Sequence, residues 1–163
     1  MDSEFVRNFV VADDEEDGEA SLLLEKRMDI IRADWRDPPA YVVSLVAKVI
    51  KSSELWANEI DDEFLIGHRG NQTGGPLTKD PEDNETLLAM RAVNDLLAPD
   101  YEIRLMLESI GSDTLYYYVL PPTAWAAIDI ECGHIVGEKF MRLDFPSGGL
   151  HDFMRRIGLL VSN

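Results

Sequence analysis

Cys132, Gly133 and His134 bring a thiol and an imidazole within two residues of each other, the pairing from which a cysteine nucleophile or part of a zinc site is built. Zinc wants four ligands, or three and a water, and the other soft donors, His68 and His151, stand at irregular spacing. Cys132 therefore reads as a small, buried or half-buried side chain. Gly67-His68-Arg69-Gly70 has the composition of a phosphate loop but lacks the Lys-Ser/Thr ending of a Walker loop and the three spaced glycines of a dinucleotide fingerprint. Acidic clusters at Glu59–Glu63 and Asp80–Glu85 do not follow the alternate-oxygen register of a calcium loop. In Gly111-Ser112-Asp113-Thr114 no strand-to-helix elbow exposes the serine as a nucleophile, and turn chemistry accounts for all four residues. The expectation is no catalytic residue, no metal and no cofactor.

The stretch that positions everything else runs from Tyr101 to Leu120. Ile103, Leu105 and Leu107 alternate with Glu102, Arg104, Met106 and Glu108, which predicts a strand with one apolar and one mostly wet face. A Gly-Ser-Asp turn follows, and then Leu115-Tyr116-Tyr117-Tyr118-Val119-Leu120, apolar on both faces. Such a strand needs layers on both sides, so the hairpin is expected at the centre of a small antiparallel sheet packed against about four helices, an α+β fold in one domain over 1–163.

Around it, Phe5, Val6, Phe9, Val10 and Val11 predict a short amphipathic helix. Asp13 to Glu19 is an acidic block with no basic residue, expected to stay extended or mobile. Leu22 to Trp35 has helical spacing from about Glu19 to Asp34, and Pro38-Pro39 opens a second helix to about Ser53 that is expected to be the buried one. Leu55, Trp56 and Ile60 predict a short strand or turn before Phe64-Leu65-Ile66. Gly67 to Pro76 reads as a surface loop, the place for a functional segment. Asp80-Pro81 is the expected start of a third helix, Pro122 of a fourth that stops at Gly133, Phe140 to Phe145 a strand, and Leu150 to Leu160 a terminal helix.

Thirty-one acidic residues against fifteen basic ones give the 163-residue chain a formal charge of −16. Its field repels phosphate backbones and anionic bilayers, so neither nucleic acid nor membrane is expected as a partner, and a basic protein is. One cysteine excludes an internal disulfide, and no apolar run has signal-peptide or membrane-span length, which together predict a cytoplasmic protein.

Asp34-Trp35-Arg36-Asp37, the helix after it, and a Leu-rich helix leading into Tyr101-Glu102-Ile103-Arg104 and Gly111-Ser112-Asp113 resemble uncharacterised bacterial α+β domains that include immunity-like proteins. The resemblance covers about residues 30–120 and implies a non-enzymatic inhibitor of a basic toxin such as a nuclease. Expected partner-binding residues are the acids Asp13, Asp14, Glu15, Glu16, Glu59, Asp61 and Asp62 for steering, with Trp56, His68 and Arg69 as anchors. The alternative reading is an enzyme or small-molecule-binding domain using Gly67–Pro76 with His68 and Arg69.

Overall fold

The computed structural model describes residues 2–12, 24, 27–76, 84–146 and 149–158. The expected hairpin forms: β5 (Glu102–Met106) and β6 (Thr114–Leu120) pair antiparallel, with Leu105 opposite Tyr117 and Glu102 opposite Leu120. β1 (Ile31–Asp34) adds to the free side of β6 and β7 (Phe140–Arg142) to that of β5, so the hairpin occupies the middle of a four-stranded sheet ordered β1-β6-β5-β7.

Alternation along β6 fills two cores. Leu115, Tyr117 and Val119 join Ile31, Ala33, Ile103 and Leu105 under α2 (Pro39–Ile50) and α3 (Glu85–Leu97). Tyr118 and Leu120 face the other way, with Met106 and Phe140, against α1 (Ser3–Val11) and α4 (Pro122–Cys132). Both faces of the sheet are therefore dry. The wet face expected for β5 is corrected accordingly: Met106 is fully buried and Arg104 is 3% exposed. β5 also stops at Met106, where a 3-10 turn, Leu107–Ser109, replaces the last predicted strand residues. Ser109 and Ser112 close this connection, their hydroxyls accepting from the N–H groups of Tyr116 and Thr114.

Two further expectations are overturned. Ile31–Asp34, expected at the end of a helix, is strand β1, because Ile31 and Ala33 alternate with Arg32 and Asp34 and pair with Tyr117 and Leu115. Gly67–Pro76 is not a surface loop. β2 (Trp56–Ile60), β3 (Glu63–His68) and β4 (Asn71–Pro76) form a second antiparallel sheet, with Arg69 (φ 49°) and Gly70 (φ 81°) as a two-residue turn between β3 and β4. Two successive positive φ values give the mirror-image turn whose twist suits a hairpin.

This sheet lies across α2 and α3, β2 nearer α2 and β4 nearer α3. α2 begins at Pro39 with no side-chain cap of its own, and Glu59 on β2 supplies one, its Oε1 accepting from Ala40 N–H at 2.9 Å. α3 is opened by Asn84, whose side chain accepts from Leu87 N–H; the expected start at Asp80 lies outside the described residues. α4 runs to Cys132 and ends at Gly133 as expected, followed by α5 (Ile135–Lys139). The terminal helix is α6 (Leu150–Arg156), with Phe153 and Ile157 buried and Leu160 outside the described residues.

Candidate docking face

The pleat of the second sheet sorts its residues. Phe64, Ile66 and His68 point toward the helices and are buried, with Ala57 packed beside them. The opposite face carries Trp56, Asn58, Ile60 and Leu65, and the register sets Trp56 opposite Gly67, Asn58 opposite Leu65, Leu65 opposite Gly74 and Ile60 opposite Glu63. On that face Ile60 is 61% exposed, and Trp56 and Leu65 are half-buried.

Glycine makes the face shallow. A Cβ at Gly67 would fall inside the Trp56 indole, at Cε2 and Cζ2, so the ring rests directly on the β3 backbone. A Cβ at Gly74 would collide with the Phe64 carbonyl oxygen, so the position directly opposite Leu65 on β4 carries no side chain. At the tip an open cleft of about 810 Å³ runs past Ile60, Asp61, Glu63, Leu65, Gly74 and Gly75. Asp61 sits in the β2–β3 turn at φ 57°, a conformation that Asp and Asn tolerate. Asp61, Asp62 and Glu63 are exposed, and among the described residues no basic side chain pairs with Asp61 or Glu63.

The residues singled out in the sequence are divided by this geometry. Asp61 and Asp62 form one end of the sheet, and His68 and Arg69 the other, separated by the six residues of β3, on the order of 20 Å. Trp56, opposite Gly67, belongs to the Arg69 end. His68 is 4% exposed and offers no surface contact. Arg69 donates to the carboxylates of Glu54 and Asp100, which raise its pKa. Glu59 is engaged at the start of α2. Asp13, Asp14, Glu15 and Glu16 lie outside the described residues. Ile60 and Leu65 were not anticipated, and Gly74 only as part of the Gly67–Pro76 segment; the signal that locates them is the period-two pattern of Trp56–Ile60 together with glycines at strand positions.

Elsewhere the polar chemistry is structural. Arg104 reaches Glu102 at 2.7 Å and Asp129 at 2.6 and 2.8 Å, while its guanidinium lies 4.2 Å from the centre of the Trp125 ring. Burial works against this charge, and Asp129 and Glu102 outweigh it, raising the pKa of Arg104. Arg142 closes the network on Asp129 and Glu102. Tyr118 donates to Asp29 at 2.6 Å, and Arg27 joins Asp29 to Asp2 at the start of α1. Burial opposes ionisation of Asp29, yet Arg27 and Tyr118 hold its carboxyl below the ordinary range. Cys132 is half-buried, as expected, and the exposed His134 sits 4.0 Å from Glu138.

Among the described residues no group of three His, Cys, Asp or Glu side chains is arranged to hold a metal, and no helix is long and apolar enough to cross a membrane. No family model, curated protein or solved structure matches this chain.

Proposed function

We propose that this is a non-enzymatic cytoplasmic binding protein that occludes a basic partner, an inhibitor of the immunity type acting on a cationic toxin such as a nuclease. The observation that carries this reading is the tip of the second sheet. Carboxylates of Asp61 and Glu63 stand without basic partners among the described residues, beside an isoleucine that is 61% exposed. Unpaired like charges repel one another and an exposed isoleucine gains nothing from water, so the combination costs stability and is relieved by a cationic, partly apolar surface. A net charge of −16 adds long-range attraction for such a surface.

The test is retention of a partner from native extract on the immobilised protein at about 0.05 M salt, followed by elution at about 0.5 M, where the Debye length is short. A single basic protein released by salt is the expected result. Retention of nothing basic, or retention indifferent to salt, overturns the reading.

A further inference from the structure

We infer that the contact is made on the outer face of the second sheet, and that its occupant is one extended, lysine- or arginine-bearing segment of the partner. This rests on the binding reading above and specifies it. The face carries an apolar line, Trp56 on its glycine shelf, then Leu65, then Ile60, ending at Asp61 and Glu63. An extended segment presents alternate side chains about every 6.6 Å, so apolar residues match the line while a following basic residue reaches the acidic tip.

Size argues for a segment. Three strands about 4.8 Å apart and five or six residues long give a face of roughly 10 by 17 Å. That is far below the about 800 Å² per partner that a stable interface between folded domains buries. Charge argues against a second copy of this chain. A two-fold contact would press Asp61 and Glu63 against their own duplicates, between two molecules that each carry −16. Anionic ligands are repelled for the same reason. The complementary occupant is a cationic polypeptide.

The probe is the blocked ten-residue peptide Ser-Val-Ser-Val-Ser-Val-Ser-Lys-Ser-Lys, which in extended form carries three valines and then two lysines on one face; it is titrated into the isotope-labelled full chain and followed by amide chemical shifts. Expected are shifts confined to residues 56–67 and 74–75. The variant Asp61→Asn/Glu63→Gln should weaken binding about tenfold, from two exposed ion pairs. Asparagine keeps the turn, and near-UV dichroism checks the fold. Ile60→Ser should weaken binding with no change of charge. The control Glu131→Gln/Glu138→Gln, which removes two charges from side chains that are 56% and 65% exposed on α4 and α5, at the other face of the four-stranded sheet, should leave affinity within about twofold. Shifts spread over the molecule's carboxylates, or equal loss in control and tip variants, overturn the assignment. Self-association abolished by Ile60→Ser gives the face to a second copy and overturns it too. Salt-released capture of a basic protein that is unchanged in the tip and Ile60 variants removes the face but leaves the binding reading standing; absence of any such capture removes that reading itself.

Discussion

Gly67→Ala should change sign according to what stands at position 56. In a strand, alanine is preferred to glycine by about 0.5–1 kcal/mol, because glycine loses more backbone freedom on folding. Here the new methyl occupies the space of the Trp56 indole, at Cε2 and Cζ2. Since Trp56 is half-buried at the sheet surface, its ring can swing outward, and the cost is the indole face it uncovers. Roughly 60–80 Å² of that face at about 25 cal/mol per Å² comes to about 1.5–2 kcal/mol. The net effect is a destabilisation of about 1 kcal/mol in the natural chain. With Trp56→Ala in place the obstacle is gone, and the same substitution should stabilise by about 0.5–1 kcal/mol. The coupling between the two sites is then about 1.5–2 kcal/mol, measurable by urea denaturation of the four proteins of a double-mutant cycle, followed by far-UV dichroism so that loss of a tryptophan does not affect the probe. Gly67→Ala having the same sign and size in both backgrounds would refute the argument that the indole lies on this glycine. The same displacement moves Trp56 on the proposed docking face without altering charge, so it also separates apolar from electrostatic contributions there.

Tyr117 carries a fully buried hydroxyl with no hydrogen-bond partner among the described residues, and burial holds its phenol far above the usual range. Tyr117→Phe should therefore raise stability by about 1 kcal/mol in urea, and a loss would mean the hydroxyl has a partner in solution. Arg104→Ala, which removes the buried centre of its network, should cost about 3 kcal/mol, whereas Arg142→Ala, at 57% exposure, should cost under about 1 kcal/mol; equal costs would refute the distinction. Asp34 has its pKa lowered from 3.8 to about 2 by the hydrogen bond from the Arg36 side chain, helped by the Arg36 backbone N–H. A depressed folded value means that its contribution is complete above 3.8 and lost as pH falls through about 2. Carboxyl chemical shifts should report that midpoint, and Arg36→Ala should return it toward 3.8; an unmoved midpoint would assign the shift to the backbone.

The central hairpin was legible because its signals are local: a Gly-Ser-Asp turn and a strand too apolar for a single buried face. The same reasoning failed on β5, where Arg104 looks solvent-facing by type. Its charge is accommodated by Asp129, 25 residues away, and by the Trp125 ring, neither visible in a local pattern. Ile31 was misread because its spacing from Leu24 and Met28, and that of Trp35 after it, also suits a helix, and only pairing with Tyr117 decides the matter. The second sheet was hidden by its glycines. At positions 67 and 74 they answer to contacts with Trp56 and the Phe64 carbonyl, so a composition that signals loop is a record of tertiary packing. Of the candidate residues, Trp56 and Glu59 fall on one strand and Asp61 and Asp62 in the turn that follows it, but the register that sends His68 inward and Arg69 to the far end is set by a two-residue turn with no Asn-Gly signature.

The placement of positive charge bears on why the acidic tip is where a partner would engage. Arg27, Arg36, Arg69, Arg104, Arg142 and Arg156 all lie against carboxylates, within networks that fasten α1, the β1 turn, the β3–β4 turn, the central sheet and α6. In each of these places charge is locally compensated and contributes little at a distance. A chain with fifteen basic residues cannot compensate thirty-one acids everywhere, and what the networks leave over sets the outer field. Asp61 and Glu63, which have no basic partner among the described residues, coincide with exposed apolar surface. Charge alone would attract any cation and release it readily, and Ile60 alone would favour nothing in particular. In the proposed binding, the two together would make retention depend on a partner that brings both a basic and an apolar side chain at strand spacing, a condition that an extended peptide meets and a simple counter-ion does not.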